Sequence, residues 1–431
     1  MPAGEAGSKE EASEMETAEA ITDGSGACAP QAAPGRGSGR YKSAFGVGAV
    51  LFLVATAVTM AQYKIPTIMT DFMALFGVDA ATASWSMSIF TFVGIIVALP
   101  TGFLAKRFGP KKIILAAVVL NVAAGLLGAF APTMGLLLAT RALEGVALVF
   151  VVACAPLVIQ ACVDPAKNGT ATGIYMLGGM LGATFAGVLT PTLYYSVGFV
   201  GLWVGYALIT AVGGVIFALY IKLPEHPVDL VAAAADADPG RPGDWRVFFK
   251  LNTWLFLVPF AIFQMVLLTI LSYAPTALQQ QGMSPAQSGI VSTLPMMLAV
   301  VSSIAFGAIS DRMGRCKPLC ILGMLVLGPC CFVMLNLTGP VMWIALVIMG
   351  LLAMGTPTVF VAAYPTVLGK PELMSVGMGV LLLVQSLGQF LGTAVSSALL
   401  GPALDQWMLC GIVTMVLGLI GTASVALCRF R

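Results

Sequence analysis

The chain has 431 residues, of which 59% are hydrophobic and 9% are charged, and its formal net charge is +2. Soluble domains carry about 25% charged residues, so this composition excludes a soluble globular protein. The small net charge gives no support for a nucleic-acid partner. Unbroken apolar runs of about 20 residues predict membrane-spanning helices rather than the alternating strands of a membrane barrel.

Residues 1–43 precede the first apolar run and are rich in Gly, Ala, Ser and Glu. A segment of this composition cannot bury enough apolar surface to fold, so we expect a disordered cytoplasmic tail. It does not have the pattern of a signal peptide. An inert extension is the simpler interpretation, and a regulatory tail is the alternative.

Twelve apolar segments follow the tail. We number them one to twelve, and their approximate limits are 44–66, 82–104, 113–131, 134–158, 169–190, 198–221, 253–275, 286–308, 318–337, 340–364, 373–397 and 407–428. Six precede and six follow a polar connector at 222–252, whose Pro, Gly and Asp residues favour turns. The sequence therefore predicts an all-α integral membrane protein. Its twelve transmembrane helices form two six-helix bundles, 44–221 and 253–428, and a short C-terminus at 429–431 follows.

The lysine and arginine residues predict the orientation in the membrane. With the N-terminus inside, every basic residue except Lys64 and Arg141 falls in the tail, the connector, an inner loop or the C-terminus. Basic residues concentrate in cytoplasmic loops, so we expect both termini to be cytoplasmic.

A glycine-flanked loop motif occurs once in each half, after the second helix of that half. The first copy contains Gly102, Lys106, Arg107 and Gly109, and the second copy contains Gly307, Asp311, Arg312 and Gly314. A second repeated motif, Leu-Gly-x-x-Leu-Gly, begins at Leu177 in segment five and at Leu387 in segment eleven. Two parallel repeats with a site between them near mid-membrane are an established transporter architecture.

These loops, together with Arg141-x-x-x-Gly145 in segment four, make the chain resemble the major facilitator superfamily over its whole length after the tail. The resemblance implies alternating access, with the two glycine-flanked loops as a conformational gate. Lys106 stands where this family normally has an acid, which puts a symmetric latch in doubt. More specifically, the stretch from Gln62 to Gly102 resembles the cyanate-permease-like group, which is associated with small-anion transport.

Three charged residues stand out in the predicted spans. Arg141 and Glu144 are one helical turn apart in segment four, and Glu144 is the only acid in any predicted span. A charge at membrane depth costs a few kcal/mol, so it is functional by default. Lys64 lies near the outer end of segment one, and the resemblance implies that it approaches the pair. Two positive charges and one negative charge suit a monovalent anion.

The internal repeat provides a comparison for these charges. An offset of 210 positions places Leu351, Met354 and Gly355 where segment four has Arg141, Glu144 and Gly145. We therefore expect the second half to build the same helix without charges, and we interpret the glycine as a packing residue. Two alternatives remain: the pair in segment four is structural, or Lys64 reaches out to the membrane interface.

Polar residues in other spans are further candidates for the substrate-binding site. They are Tyr63, Tyr175, Gln264, Tyr364, Gln385 and Gln389. For each one, ordinary polarity at a helix contact is the alternative. The glycines of segments five and eleven are predicted to allow close helix packing. The nine scattered cysteines and the single histidine, His226, suit neither a metal site nor a bound cofactor.

The leading hypothesis is a secondary transporter in the plasma membrane of a bacterium, acting as a monomer on a small anion or weak organic acid together with a proton. Arg141 binds the anion, Lys64 attracts it, and Glu144 couples the proton. The chain has no Gly-x-x-x-x-Gly-Lys-Ser/Thr motif for ATP and no catalytic constellation, so neither a pump nor an enzyme is expected. Efflux of neutral or amphipathic compounds is the first alternative, although segment five lacks the Gly-Pro usual in drug antiporters. A transporter-like sensor is the second.

Overall fold

The computed structural model describes residues 42–164, 167–222, 245–368 and 374–429. Nearly all of the predicted tail, most of the predicted connector and the last two residues lie outside this part of the chain. All regular structure within the described ranges is helical.

The described residues form thirteen α-helices, which we number in chain order. They are α1 (Ala44–Gln62), α2 (Met69–Phe76), α3 (Ala80–Phe108), α4 (Pro110–Ala129), α5 (Met134–Cys162), α6 (Asn168–Tyr220), α7 (Leu251–Gln280), α8 (Pro285–Met313), α9 (Lys317–Asn336), α10 (Pro340–Leu352), α11 (Thr356–Leu368), α12 (Met374–Leu400) and α13 (Trp407–Leu427). Two short 3-10 helices, Pro66–Ile68 and Trp245–Phe249, lie in the connections. We refer to α1–α6 as the first bundle and to α7–α13 as the second bundle.

Eleven helical stretches of the described chain are long and apolar enough to cross a membrane. One of them, α6, has 53 residues, and at a rise of 1.5 Å per residue this is about 80 Å, enough for two crossings. The helix breaks at Gly198, whose φ of 73° is readily available only to glycine. Segments five and six are thus the two halves of α6, and the prediction of twelve spans is confirmed.

Segment ten is not one continuous helix, so the expectation that the second half builds the same helix as segment four is wrong. Helix α10 ends at Leu352, and α11 begins at Thr356. Pro357 has no N–H to donate to the carbonyl of Ala353, and Gly355 is a poor helix former, so the two together interrupt the helix. The corresponding stretch of α5 continues without a break.

The repeated glycines allow close contact between helices, as predicted. A Cβ atom on Gly182 of α6 would lie 2.9 Å from the carbonyl oxygen of Thr56 in α1. In the second bundle, Gly392 of α12 is packed in the same way against the backbone of Met265 in α7. These positions are 210 residues apart, so the two bundles repeat this packing as well as the sequence motif.

The described contacts between the two bundles run from one end of the molecule to the middle of α3, where a Cβ atom on Gly94 would lie 3.5 Å from Ser386 Oγ of α12. This end carries the connections 63–68, 281–284 and 401–406, and we call it the predicted outer end because its orientation rests on the basic residues alone. Here Ser88 Oγ of α3 donates to Thr393 Oγ1 of α12 at 2.7 Å. Nearby, a Cβ atom on Gly187 of α6 would lie 2.6 Å from the carbonyl oxygen of Gly289 in α8. The bundles are therefore closed against each other at the predicted outer end.

Candidate functional site

The site begins where α1 ends. The helix stops at Gln62, and the chain makes a turn through Tyr63, Lys64 and Ile65 before the 3-10 helix that starts at Pro66. Pro66 has no N–H to donate to the Gln62 carbonyl four residues earlier, which favours this break. The last carbonyl groups of a helix have no partner within the helix. Lys64 is thus in a buried turn, and segment one is four residues shorter than predicted.

Arg141 supplies partners for these unpaired carbonyls. Its Nη1 donates to the Ala61 oxygen at 2.7 Å, and its Nη2 donates to the Gln62 oxygen at 3.1 Å. Its Nε donates to the Ser86 oxygen of α3 at 3.1 Å, and the guanidinium carbon lies 4.7 Å from the ring centre of Phe90. A cation at the C-terminal end of a helix is favoured by the helix dipole. Arg141 therefore connects α1, α3 and α5.

Glu144 links the two cations. Its Oε1 accepts from Lys64 Nζ at 2.5 Å, and its Oε2 accepts from Arg141 Nη1. The Lys64 ammonium also lies 4.1 Å from the ring centre of Trp203 in the second half of α6. A Cβ atom on Gly125 of α4 would lie 3.8 Å from Glu144 Oε1, so the carboxylate faces the interior of the first bundle.

We call Lys64, Arg141 and Glu144 the charged cluster. All three side chains are at most 1% exposed. Lys64 is directed at Glu144 and not at the membrane surface, so the snorkelling alternative is wrong. With both cations charged and the acid ionised, the cluster has a formal charge of +1. The cluster holds α1, α3, α4 and α5 together. It also leaves one unbalanced positive charge in a region that is shielded from solvent.

The other predicted binding residues are spread over both bundles. Tyr175 is buried in α6, Gln264 is buried in α7, and Gln385 and Gln389 are half-buried in α12. Tyr364 of α11 is fully buried and stacks on Phe256 at 5.6 Å between ring centres. No hydrogen bond within the described part of the chain joins these five residues to the charged cluster.

The two glycine-flanked loops have the backbone that their glycines predict. Gly109 and Gly314 follow the ends of α3 and α8 with φ values of 83° and 59°, a region that favours glycine. Gly102 lies within α3 and Gly307 within α8, and Arg107 and Arg312 have exposed side chains near the ends of those helices. The side chains of Lys106 and Asp311 lie outside the described part of the structure.

A small pocket lies between the two bundles beside the charged cluster. The first bundle contributes Gln62, Tyr63, Pro66 and Met87, and the second contributes Leu268, Ser272 and Thr393. Only Tyr63 was named from the sequence. Single hydroxyl and amide groups are common in membrane helices, and only the fold shows which of them face the same space. For Gln62, the following Tyr-Lys-Ile-Pro, which ends the helix, was a readable signal.

A family model described as Major Facilitator Superfamily matches residues 47–393. An uncharacterized MFS-type transporter of Bacillus subtilis (strain 168), YybF, is 30% identical over 172 residues, which are 38% of this chain and 40% of the relative. The 3-(3-hydroxy-phenyl)propionate transporter of Escherichia coli (strain K12) is 25% identical over 245 residues, covering 55% and 58% respectively. The match thus spans less than two thirds of either relative.

Solved transporters share the fold. A bacterial homologue of the human lysosomal transporter Spinster, in an inward-facing and occupied conformation, has a TM-score of 0.73 at 17% identity, and the match covers 91% of this chain and 97% of the other. A mutant of the peptide transporter POT has a TM-score of 0.68 at 18% identity, with 87% and 93% covered. The resemblance to the cyanate-permease-like group stays a prediction. The chain belongs to the Major Facilitator Superfamily and is a multi-pass membrane transporter rather than an enzyme.

Proposed function

We propose that this transporter carries a small organic acid anion by alternating access, together with a proton. The observation that carries the proposal is the charged cluster, which places two cations and one carboxylate in a region without solvent. Such a cluster has an unbalanced positive charge that an anionic substrate compensates. The pocket and the cluster are built from one chain, so a monomer is the proposed transport unit.

The cluster lies next to the space between the bundles. The Gln62 carbonyl accepts from Arg141, and the Gln62 and Tyr63 residues both line the inter-bundle pocket. At an effective dielectric constant of about 20, two unit charges about 8 Å apart interact with about 2 kcal/mol. The positive cluster therefore attracts an anion into the pocket without direct contact.

In this structure the Arg141 guanidinium donates hydrogen bonds to the carbonyl groups at the end of α1. Opening of the predicted outer end changes the position of α1, and the guanidinium then exchanges helix carbonyls for the carboxylate of the substrate. Arginine suits this exchange because its planar fork matches two carboxylate oxygens. Lys64, which is held by Glu144 in the closed form, adds positive charge at the same place.

Glu144 is the proposed proton-coupling residue. Its ionised carboxylate holds both Lys64 and Arg141, and protonation removes the partner that they share. The charge of the cluster then rises from +1 to +2, which strengthens the attraction for an anion. Proton binding and anion binding favour each other in this arrangement, as symport requires. The Escherichia coli relative is named for 3-(3-hydroxy-phenyl)propionate, which is an organic acid, and this supports the proposed substrate class.

Uptake of labelled carboxylates into proteoliposomes, with and without a pH gradient, tests the proposal. We expect Arg141→Lys to keep the charge but to weaken carboxylate affinity, and Arg141→Ala to weaken it further. Leu351→Ala changes the repeat-related position, whose side chain is 38% exposed and uncharged, and serves as the control. If Arg141→Ala transports every carboxylate with the affinity and rate of the unmodified protein, the binding role is wrong.

The coupling role needs a variant that keeps the formal charge of the cluster at +1. Glu144→Gln combined with Lys64→Gln does so, because Arg141 remains as a single cation. We expect this double variant to exchange bound substrate but to lose acceleration by a pH gradient. Unchanged dependence on the gradient would remove Glu144 from the mechanism.

A further inference from the structure

Three consecutive glutamines, 279–281, lie where α7 ends at the predicted outer end. Two of their side-chain amides bond within the second bundle, to the carbonyls of Leu404 at 3.2 Å and Leu335 at 3.1 Å. Gln279 differs, because its Nε2 donates to the Thr67 carbonyl of the first bundle at 2.8 Å. Of these three amides, the one on Gln279 therefore joins the two bundles within the described structure.

Both sides of this contact are held in place by further hydrogen bonds. In the second bundle, Gln279 Nε2 also donates to Ser288 Oγ of α8 at 3.0 Å, which fixes the direction of the amide. In the first bundle, Thr67 is 2% exposed, and the short 3-10 helix that contains it is closed by the Ile68 N–H, which bonds to the Ile65 carbonyl at 3.0 Å. The amide and the carbonyl therefore meet only while this turn keeps its position.

Lys64 belongs to the same turn and precedes Thr67 by three residues. Its Nζ lies 2.5 Å from Glu144 Oε1, and neither of these two charged side chains is more than 1% exposed. Three residues span at most about 11 Å, so the chain between Lys64 and Thr67 has little slack. The ion pair of the charged cluster and the contact with α7 are therefore the two ends of one short segment, and a shift of Lys64 is passed on to the Thr67 carbonyl.

We infer that Gln279 is a positioning residue for transport, through which the charged cluster controls closure of the predicted outer end. While Glu144 holds Lys64, the Thr67 carbonyl is placed to accept from Gln279, and the bundles stay joined. When Lys64 leaves Glu144, the turn shifts and this hydrogen bond is lost. Coupling of this kind is carried by connected hydrogen bonds and ion pairs. The inference rests on the proposed alternating access, but not on the nature of the substrate or on the proton.

Access to the inter-bundle pocket from the outer side tests this inference. The reporter is Met87→Cys in the full-length chain without its native cysteines, because Met87 lines the pocket and is 5% exposed. Its rate of labelling by a membrane-impermeant maleimide is measured in intact cells. Gln279→Met removes the donor at nearly constant length, and Gln279→Glu keeps the shape of the side chain but replaces the amide nitrogen by a carboxylate oxygen. The matched controls are Gln280→Met and Gln281→Met, whose amides bond within the second bundle.

We expect Gln279→Met and Gln279→Glu each to label about five-fold faster than the unmodified reporter protein, as for the loss of one hydrogen bond. The two controls should label at the unmodified rate. Lys64→Met releases the other end of the segment and should speed labelling as well. Adding Gln279→Met to Lys64→Met should give no further acceleration, because two changes that act through one contact are not independent. Size-exclusion profiles establish that each variant is folded, and either change at Gln279 is sufficient for the test.

Each outcome has one meaning. If the folded changes at Gln279 label like Gln280→Met and Gln281→Met, the amide does not hold the bundles together, and the inference is overturned. It is also overturned if the accelerations by Lys64→Met and Gln279→Met multiply, because a purely structural loosening of α7 would be independent of the cluster. If carboxylates are transported in proteoliposomes and the labelling effects multiply, the proposed function stands and only the role of Gln279 fails. If the labelling results are as expected but no carboxylate is transported, the role of Gln279 stands and the proposed substrate is wrong.

Discussion

The Nζ atom of Lys64 lies 2.5 Å from Oε1 of Glu144, although 80 positions separate the two residues in the chain. This ion pair holds the turn after α1 against α5. Arg141 holds the last turn of α1 to α5 as well, through the carbonyls of Ala61 and Gln62. A buried group of charges thus caps the last carbonyl groups of a membrane helix.

The first prediction concerns the balance of charge in this cluster. Glu144→Gln leaves two buried cations without a carboxylate, whereas Lys64→Met leaves Arg141 and Glu144 as a neutral pair. Removing the only counter-charge of a buried ion pair costs about 3–5 kcal/mol. We expect Glu144→Gln to lower the melting temperature in detergent far more than Lys64→Met does. Equal losses of melting temperature in the two variants would show that the three charges are solvated and that the cluster has no uncompensated positive charge.

The second prediction concerns the contact between α6 and α8. A side chain on Gly289 would collide with the Gly187 carbonyl, so Gly289→Ala should push the bundles apart at the predicted outer end. The reporter is Met87→Cys, a buried position in the inter-bundle pocket, in a background without native cysteines. We expect labelling by a membrane-impermeant maleimide to become several-fold faster. Gly179→Ala is the control, because a Cβ atom there meets nothing within 4 Å, and its labelling rate should not change.

The third prediction concerns Tyr273, whose hydroxyl connects the bundles. It lies 2.8 Å from Ser84 Oγ and 2.8 Å from the Thr393 carbonyl oxygen. Tyr273→Phe removes both contacts, which should cost the closed state about 1 kcal/mol and raise labelling of the same cysteine about five-fold. Tyr206→Phe is the matched control, since that hydroxyl bonds only to Thr190 within the first bundle. Similar labelling of the two variants would contradict a role for Tyr273 in closure.

The fourth prediction concerns the N-terminus of α3, outside the membrane. Hydrogen bonds from Thr82, from its side chain and its backbone N–H, hold the pKa of Asp79 below its ordinary value of 3.8. A lowered pKa in the folded state means that the ionised acid stabilises the fold above pH 3.8. This stabilisation disappears as the pH falls through the lowered pKa. Asp79→Ala should therefore lower the melting temperature at neutral pH, and the difference should shrink towards zero in acid.

Thr133 provides the control for this pH dependence. Its hydroxyl caps α5 by accepting from the Leu136 N–H at 3.4 Å, and it does not ionise in this range. Thr133→Ala should lower the melting temperature by an amount that is independent of pH. A pH-independent loss in Asp79→Ala as well would show that the cap does not depend on the charge of Asp79.

Much of the fold could be predicted because lipid imposes a simple rule on the sequence. The lengths of the apolar runs predict the membrane spans, and the repeated glycine motifs indicate two related halves. The break in segment ten was readable in principle from Gly355 and Pro357. It was not predicted because Pro156 and Pro259, among others, lie inside helices that continue. In α7, for example, the Leu255 carbonyl that Pro259 leaves without a partner accepts from Ser424 of α13. The replacement hydrogen bond comes from another helix, so the sequence around the proline does not reveal it.

The charged cluster could be predicted because charges are rare in these spans. The residues around it could not be predicted in the same way. Ser272 and Thr393 are ordinary polar residues in their own helices, and they become parts of a pocket only when α7 and α12 meet α1 and α3. The hydrogen bonds from Arg141 to the end of α1 could not be predicted either, because the sequence does not show that α1 and α5 meet at these residues.

The single residue that divides α6 has a mechanical consequence. The half before Gly198 carries Gly187 at the contact with the second bundle, and the half after it carries Trp203 over the Lys64 ammonium. One residue spans at most about 3.6 Å, so the two halves have almost no slack between them. A displacement of segment five at its contact with α8 is therefore passed directly to segment six, which carries the ring that covers the lysine. The backbone itself is thus a short tether between the inter-bundle contact and the buried charges.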